Sequence, residues 1–429
     1  MASTGTKSPP TMTPFQYACD IDAEPLHRYT RGGYHPTHLG DQLNDRRYRV
    51  LHKLGWGGYS TVWAARDQHL GRYVAVKISV SERQSAQIDR QLHVMRTIAT
   101  SSLKHPGAES VTRLLDHFEL DGPNGTHECL VLELLGPSVP AVLDVRFVDN
   151  RLPAKLAKKV ARQTLLGLDY LHQHAIGHGE SLSRINYKKL TRLDLHTGNI
   201  AFTLPLTDST SEDELARILG KPELGQVRRV NGEKLGSGIP EYLVRPSVYP
   251  LSVSSLPDSV KIVDYGESFF DAEPPATLHT PLAVRAPEIV FGDRFDHRVD
   301  LWSMACLVFE LYTGQPPFDF GLTPGTLIAQ MEEFAADRLP ERWIERANRL
   351  REPVGGGTDQ AGGKRDAALD TEQALQQWLE EVYFDDGRKK AELSLEDIRK
   401  VGDLVRKMLW FEPSSRETAS RLLTDTWLS

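Results

Sequence analysis

Three oxygen-bearing side chains in the middle of the chain are of the types that can serve as a proton acceptor and as ligands for a hard metal ion. Asp194 stands five residues before Asn199, and Asp264 follows an apolar stretch, residues 260–263, whose pattern predicts a strand. A carboxylate such as Asp194 can accept the proton of a hydroxyl nucleophile, and the oxygens of Asn199 and Asp264 are ligands that Mg²⁺ prefers. We interpret the set as a catalytic base and a magnesium site. The alternative for each residue alone is a capping or loop side chain.

A glycine-rich turn between two predicted strands can hold phosphate groups. Glycines let backbone amides approach an anion without a Cβ atom in the way, although a plain hairpin turn is the alternative. Lys77 lies on the following predicted strand, after Ala75, where its ammonium can reach the α- and β-phosphates of a nucleotide. The turn and its flanks are Leu54, Gly55, Trp56, Gly57, Gly58, Tyr59, Ser60, Thr61 and Val62.

Two residues differ from the side chains that this chemistry ordinarily uses. Gln91 lies on a predicted helix, residues 82–98, at the position from which a carboxylate would hold Lys77, and an amide brings hydrogen bonds without charge. His196, two residues after Asp194, can donate a hydrogen bond toward a phosphoryl oxygen but is mostly neutral at pH 7. We expect backbone groups from Glu133 to Leu135 to bind the edge of an adenine base, with Leu132 behind it.

A supporting frame is predicted in the second half of the chain. Glu288 and Arg416 are expected to form a buried carboxylate–guanidinium fork. Asp300 begins an almost wholly apolar segment, residues 300–312, and is placed to bond the backbone of the loop that carries Asp194. The alternative for each is an ordinary surface charge.

Composition excludes some classes of protein. The chain has 429 residues, 40% of them hydrophobic, and a formal charge of -7, which argues against a protein that binds nucleic acid mainly through phosphate contacts. No apolar run reaches the roughly 18 residues of a membrane span. Three cysteines stand far apart, as is typical of a reducing compartment. We expect a monomer in the cytoplasm or nucleus.

The pattern along the chain predicts a disordered lead-in, residues 1–24, followed by two lobes. Residues 25–135 read as a small lobe rich in strands with one main helix, and residues 136–429 as a larger helical lobe. Residues 203–258 form a spacer-like insert assigned to the second lobe. A capping box at Ser211 and Glu214 predicts the start of one short helix in the insert, and the rest of the insert is predicted to be irregular.

These motifs resemble those of protein kinases, and within them a fungal-type member of the SR-protein kinase family, over about residues 25–428. The most telling segments are Gly32-Gly33-Tyr34-His35-Pro36, Leu54-Gly55-Trp56-Gly57 and Gly167-Leu168-Asp169-Tyr170-Leu171-His172. The resemblance implies a bilobal α+β fold and a Ser/Thr protein kinase. It also implies the use of ATP and Mg²⁺ on Arg/Ser-rich proteins tied to RNA splicing.

Two other functions are compatible with parts of the sequence. Gln91 and His196 would suit a pseudokinase that binds nucleotide or a partner without turnover. A small-molecule phosphotransferase also uses His-Gly-Asp loops, but the residues Ala286-Pro287-Glu288, Asp300 and Arg416 argue against it.

Fourteen residues interrupt the approach to Asp194. Without residues 180–193 the sequence runs Ile-Gly-His-Gly directly into Asp194-Leu195-His196-Thr197-Gly198-Asn199, which resembles an uninterrupted kinase catalytic loop. We hypothesise that the segment is a local insertion, with an untranslated stretch retained in the gene model as a candidate origin. A transcript read spanning the codons of Gly179 and Asp194 tests this. The expected result is a junction between those codons, whereas continuous coverage of the fourteen codons would remove the hypothesis.

Overall fold

The structure is a computed structural model that describes residues 16–82, 85–146, 151–180, 198–250, 259–318, 323–351, 371–384 and 392–428. Asp194, His196 and residues 181–193 lie outside the described residues.

The first part of the chain is a sheet with one long helix. Its elements are β1 (Tyr17–Ala18), β2 (Gln42–Leu43), β3 (Tyr48–Gly57), β4 (Ser60–Asp67), β5 (Arg72–Ser79), α1 (Ser85–Thr100), β6 (Leu114–Gly122) and β7 (Gly125–Glu133). Strands β2 to β7 form one antiparallel sheet in the order β2-β3-β4-β5-β7-β6. Both faces of β5 are largely buried: Val74, Val76 and Ile78 belong to one apolar cluster, and Tyr73 and Ala75 on the opposite face belong to another.

The second part is mainly helical. Its elements are α2 (Val139–Arg146), α3 (Ala154–Gln173), β8 (Ile176–Gly177), β9 (Ile200–Phe202), α4 (Glu212–Leu219), β10 (Leu224–Gln226), β11 (Arg228–Arg229), β12 (Tyr242–Val244), β13 (Val260–Ile262), β14 (Phe269–Phe270), α5 (Pro287–Val290), α6 (Val299–Thr313), α7 (Pro324–Phe334), α8 (Glu341–Arg351), α9 (Thr371–Phe384), α10 (Leu395–Arg406) and α11 (Ala419–Leu422). The central helix α6 is buried over its whole length, as its almost wholly apolar sequence predicts. The predicted bilobal α+β fold is confirmed.

The insert lies against the small lobe, although the sequence analysis grouped it with the large one. The capping box at Ser211 and Glu214 starts α4 as predicted. Leu215 and Leu219 of α4 pack with Ala64 and Tyr73 of the sheet. Sequence adjacency was a poor guide here because a long insert can fold back onto a lobe that it follows in the chain.

The prediction of an otherwise irregular insert is wrong at β10, β11 and β12. Strands β10 and β12 pair with each other, and β11 pairs with β1. Segments of two or three residues are too short to show the period of two that marks a strand.

The prediction of disorder over residues 1–24 is wrong for residues 16–24, which have defined contacts, whereas residues 1–15 lie outside the described residues. Tyr17 pairs with Arg229 across more than two hundred residues, and Glu24 is buried. Such a long-range partner leaves no local pattern in the sequence.

Leu219→Ala tests how firmly the insert is attached to the sheet. Leu219 is 2% exposed, so we expect truncation to lower the free energy of unfolding by about 2–4 kcal/mol through lost burial and a residual cavity. Chemical denaturation measures the change. Leu224→Ala, at an insert leucine that is 45% exposed, is the matched control and should stay within about 0.5 kcal/mol of the unmodified protein. Equal losses in both variants would contradict the packing.

Candidate active site

Lys77 and Asp264 meet between the two lobes. Lys77 lies on β5 opposite Val62 of β4, and its Nζ is 2.8 Å from Oδ1 of Asp264. The Lys77 side chain is 12% exposed and that of Asp264 39% exposed. Asp264 has φ of +60°, which is rare outside glycine, and its Oδ1 also accepts a hydrogen bond from the Gly266 amide at 3.1 Å. Oδ1 of Asp264 is thus held both by the Lys77 ammonium and by a backbone amide.

A pair of short strands brings Asn199 to the same place. Strands β9 and β13 are antiparallel, with Ile200 opposite Ile262, so the residue before β9 faces the residue after β13. The Val263 amide donates to the Asn199 carbonyl at 2.9 Å. Asn199 and Asp264 therefore lie at one end of this strand pair. Their amide and carboxylate oxygens are a donor set that suits a hard cation such as Mg²⁺.

The glycine turn connects β3 and β4 through Gly58 and Tyr59. A Cβ atom built at Gly55 or Gly57 would meet no other atom within 4 Å, so packing inside the described protein does not require glycine at these positions. Below the turn, Leu54, Val62 and Ala75 belong to one apolar cluster with Leu132 and Leu134. The geometry leaves open space at the turn next to an apolar wall.

The segment predicted to bind an adenine edge makes contacts that the sequence analysis missed. The side chain of Glu133 accepts hydrogen bonds from Nζ of Lys261 at 2.7 Å and from the Arg113 amide at 2.9 Å. The hydroxyl of Tyr249, from the insert, donates to the Leu135 carbonyl at 3.2 Å. That carbonyl therefore already has a donor within the protein. No local signal marks Tyr249, because it lies in an irregular stretch far along the chain.

Helix α1 is attached to the segment after Asp264 by residues other than Gln91. Gln91 is 2% exposed, and the ion pair of Lys77 is made with Asp264. Gln87 donates to the Gly266 carbonyl at 3.2 Å and to Oε1 of Glu267 at 3.1 Å, and Nε of Arg90 donates to the Ser268 carbonyl at 3.2 Å. Sequence analysis missed both residues. Their spacing of three places them on one face of a helix, the signal that was available.

Asp300 at the start of α6 holds the backbone that leads toward Asp194. Its carboxylate accepts hydrogen bonds from the His178 amide at 2.7 Å, the Gly179 amide at 2.9 Å and Nε2 of His172 at 3.1 Å. Burial works to raise the pKa of Asp300, but the hydrogen bond from His172, the nearby charges of His172 and His178 and the Gly179 amide hold it below its usual range. The predicted contact between Asp300 and the approach to the loop is present as far as residue 179.

The Glu288–Arg416 pair is present as the sequence predicts. Nη1 and Nη2 of Arg416 lie 2.7 and 2.6 Å from the two carboxylate oxygens of Glu288, and both side chains are buried. Nη1 also donates to the Arg298 carbonyl at 2.9 Å. With both oxygens paired and extra carbonyl acceptors for the guanidinium, the buried charges are compensated.

The family model described as protein kinase domain matches residues 48–180 and 253–428. The matched residues include Lys77, Asp264, Glu288, Asp300 and Arg416. The unmatched stretch between these two parts, residues 181–252, contains Asp194, Asn199 and most of the insert.

Relatives match over most of the chain. A serine/threonine protein kinase of Aspergillus fumigatus is 28% identical over 96% of this chain and 91% of its own length. A protein from Physarum polycephalum named serine/threonine-protein kinase SRPK is 27% identical over 96% of this chain and 92% of its own. Human SRSF protein kinase 3 is 37% identical over 36% of this chain and 27% of its own.

Asp300→Asn tests the anchor of the backbone by its pH dependence. A carboxyl whose pKa is lower in the folded than in the unfolded protein stabilises the fold above the ordinary aspartate pKa of about 4, and this contribution is lost as pH falls through the lowered value. We therefore expect Asp300→Asn to lower the free energy of unfolding at pH 7 by about 2 kcal/mol. Below about pH 4, the free energy of unfolding of this variant should decrease less with falling pH than that of the unmodified protein. Urea unfolding at several pH values measures both effects.

The control for this experiment is Asp403→Asn on the exposed side of α10. It removes the same charge without a buried hydrogen-bond network, so it should leave the stability within about 0.5 kcal/mol. An acid dependence that is the same in Asp300→Asn and in the unmodified protein would contradict the assignment.

Proposed function

The chain belongs to the protein kinase family and is a serine/threonine protein kinase that uses ATP with a divalent metal ion, and we propose that it transfers the γ-phosphoryl group at a site built from Lys77, Asp194, Asn199 and Asp264. The observation that carries this assignment is the 2.8 Å contact between Nζ of Lys77 and Oδ1 of Asp264 across the two lobes. This contact supports the proposal because it joins the cation assigned to phosphate binding to a carboxylate assigned to the metal ion.

We assign the nucleotide to the space between the glycine turn and the apolar wall. The open positions at Gly55 and Gly57 allow phosphates to approach backbone amides. Leu54, Val62 and Ala75 supply apolar surface for a base. The remaining residues assigned to nucleotide binding are Trp56, Gly58, Tyr59, Ser60, Thr61, Glu133 and Leu135. Lys77 is assigned to the α- and β-phosphates.

We assign the divalent metal site to Asn199 and Asp264 and the metal to Mg²⁺. Mg²⁺ ordinarily takes one or two protein oxygens and completes its shell with water and substrate phosphates, and a carboxylate beside an amide oxygen fits that demand. When bound, the ion neutralises charge that develops on the transferred phosphoryl group. Lys77 would then hold the nucleotide, and Asp264, whose side chain is 39% exposed, would exchange its contact with Lys77 for metal ligation.

We assign Asp194 as the base that accepts the proton of the substrate hydroxyl. We assign His196 as the donor of a hydrogen bond toward the phosphoryl group. Both residues lie outside the described part of the chain. Support comes from their neighbours, since Asp300 holds the backbone at Gly179 on one side of the interruption and β9 fixes Asn199 on the other.

On the basis of the resemblance to the SR-protein kinase family, we propose that the substrates are Arg/Ser-rich proteins linked to RNA splicing. A formal charge of -7 is compatible with a basic peptide. A monomer without direct nucleic-acid contacts, in the cytoplasm or nucleus, is part of the same proposal. None of the helices among the described residues has the length and apolar content that a membrane span requires.

Transfer of labelled γ-phosphate from ATP to a basic Ser-containing protein tests the active-site assignment. We expect Asp194→Asn to lower kcat at least about a hundredfold, because a positioned base contributes rate factors of this order or more. Lys77→Met and Asp264→Asn should also lose most activity, and Asp264→Asn should require more Mg²⁺. Full activity in Asp194→Asn would reject the assigned base.

Peptides of equal length and charge test the substrate class. An Arg-Ser repeat should be phosphorylated at least about tenfold better in kcat/KM than a Lys-Ser repeat, because guanidinium groups can bind carboxylates in pairs of hydrogen bonds. An Arg-Ala repeat without hydroxyls is the blank. Equal rates on the Arg and Lys peptides would reject this substrate class and leave kinase activity itself untouched.

A further inference from the structure

We propose that the segment Gly32-Gly33-Tyr34, called here the GGY segment, clamps the glycine turn in place, and that Tyr34 is a positioning residue for ATP binding. The inference rests on the proposed function of the turn. Neither the phosphate chemistry nor the metal site accounts for the GGY segment, which stands outside the matched kinase residues.

Tyr34 reaches the turn directly. Its hydroxyl donates a hydrogen bond to the Gly57 carbonyl at 2.8 Å, and the residue is 1% exposed. Burial raises the pKa of Tyr34 to about 12, against a lowering influence from Arg28, so the phenol remains a donor at neutral pH. The guanidinium of Arg28 lies 5.0 Å from the centre of the Tyr34 ring and limits its movement.

The backbone of the GGY segment is fixed on two sides, so the Tyr34 hydroxyl is held in position. The Gly32 amide donates to the Asn124 carbonyl at 2.7 Å, and Nδ2 of Asn124 donates to the Tyr34 carbonyl at 2.7 Å. The amides of Ser81 and Glu82, just after β5, donate to the carbonyls of Gly33 and Gly32 at 3.2 and 2.8 Å. The GGY segment thus spans from the β6–β7 turn to the end of the strand that carries Lys77.

Both glycines are required by this path. Gly32 has φ of +88°, where a side chain is strained, and a Cβ atom at Gly33 would lie 1.8 Å from the Arg28 carbonyl oxygen. This close approach lets the chain reverse, and the Tyr34 amide donates to the same Arg28 carbonyl at 3.0 Å. The two glycines therefore aim the tyrosine at the turn.

A buried ion pair attaches the preceding residues to the base of the turn. Lys53, directly before Leu54, pairs with Glu24, and both side chains are fully buried. The Tyr29 hydroxyl also hydrogen-bonds to Glu24. Nζ of Lys53 lies 5.1 Å from the centre of the Trp63 ring on β4. Residues 24–34 therefore contact the glycine-rich hairpin at its start, through Lys53, and near its tip, through the Gly57 carbonyl.

A glycine-rich hairpin that moves freely must lose conformational entropy when it closes on phosphates. A fixed hydrogen bond at Gly57 removes part of that cost before the ligand arrives. Tyr34 is therefore expected to affect the affinity for nucleotide more than the rate of the chemical step.

Tyr34→Phe tests the clamp because it removes the hydroxyl and keeps the ring. We expect the KM for ATP to rise about three- to tenfold, the range that one hydrogen bond supports, with kcat changed less than twofold. Hydrogen–deuterium exchange of amides 55–60 should become faster in the protein without nucleotide.

Tyr48→Phe is the matched control. The Tyr48 hydroxyl donates to Oδ2 of Asp116 at 2.7 Å in the same sheet, so this variant loses a phenol hydrogen bond far from the turn. Because its acceptor is a carboxylate, it should lower the melting temperature at least as much as Tyr34→Phe while leaving the KM for ATP and the exchange of residues 55–60 unchanged. If Tyr34→Phe, like this control, left the KM for ATP and the exchange of residues 55–60 unchanged, the clamp would be overturned.

The exchange measurement separates this inference from the proposed function. If the unmodified protein transfers no phosphate but Tyr34→Phe still accelerates exchange at residues 55–60, the clamp stands and the kinase assignment fails. If transfer occurs and exchange at these residues is unaffected by Tyr34→Phe, the kinase assignment stands and the clamp is rejected.

Discussion

The ion pair between Lys77 and Asp264 is the contact on which the rest of the site depends. Lys77 lies on a strand of the sheet lobe, and Asp264 follows a strand of the helical lobe. Their ion pair therefore joins the two sides of the cleft between the lobes. Both side chains keep some exposure, which is compatible with the exchange of partners proposed for nucleotide binding. This pair places the glycine turn and the apolar wall on one side of the cleft and Asp264, a proposed metal ligand, on the other.

Several features support that pair from outside the cleft. Gln87 and Arg90 tie α1 to the backbone after Asp264, and thereby supply a link that does not need a carboxylate at Gln91. Asp300 orients the chain before the interrupted loop, and the fork between Glu288 and Arg416 holds the large lobe together beneath it. Loss of charge at one position in α1 is thus compatible with an ordered site.

The insert and the N-terminal segment form a second layer around the small lobe. Val227, Ile239 and Leu243 of the insert pack with Tyr29 and Tyr34. This layer reaches the site at two points, where Tyr249 meets the Leu135 carbonyl and where Tyr34 meets the Gly57 carbonyl. Parts of the chain that carry no catalytic motif therefore contact both predicted edges of the nucleotide site.

The sequence by itself determined the bilobal class, the strands around the glycine turn, the buried helix α6 and the pairing of Glu288 with Arg416, because local periodicity and motif order encode these features. It predicted Lys77, Asn199 and Asp264 as a set, but their convergence follows from the register of β9 with β13 and from the closure of the lobes. Only the tertiary structure decided the packing of the insert, the strand at Tyr17, and the contacts of Gln87, Tyr249 and Tyr34. Each of these joins residues far apart in the chain, and such contacts arise from shape and burial in three dimensions that no local pattern records.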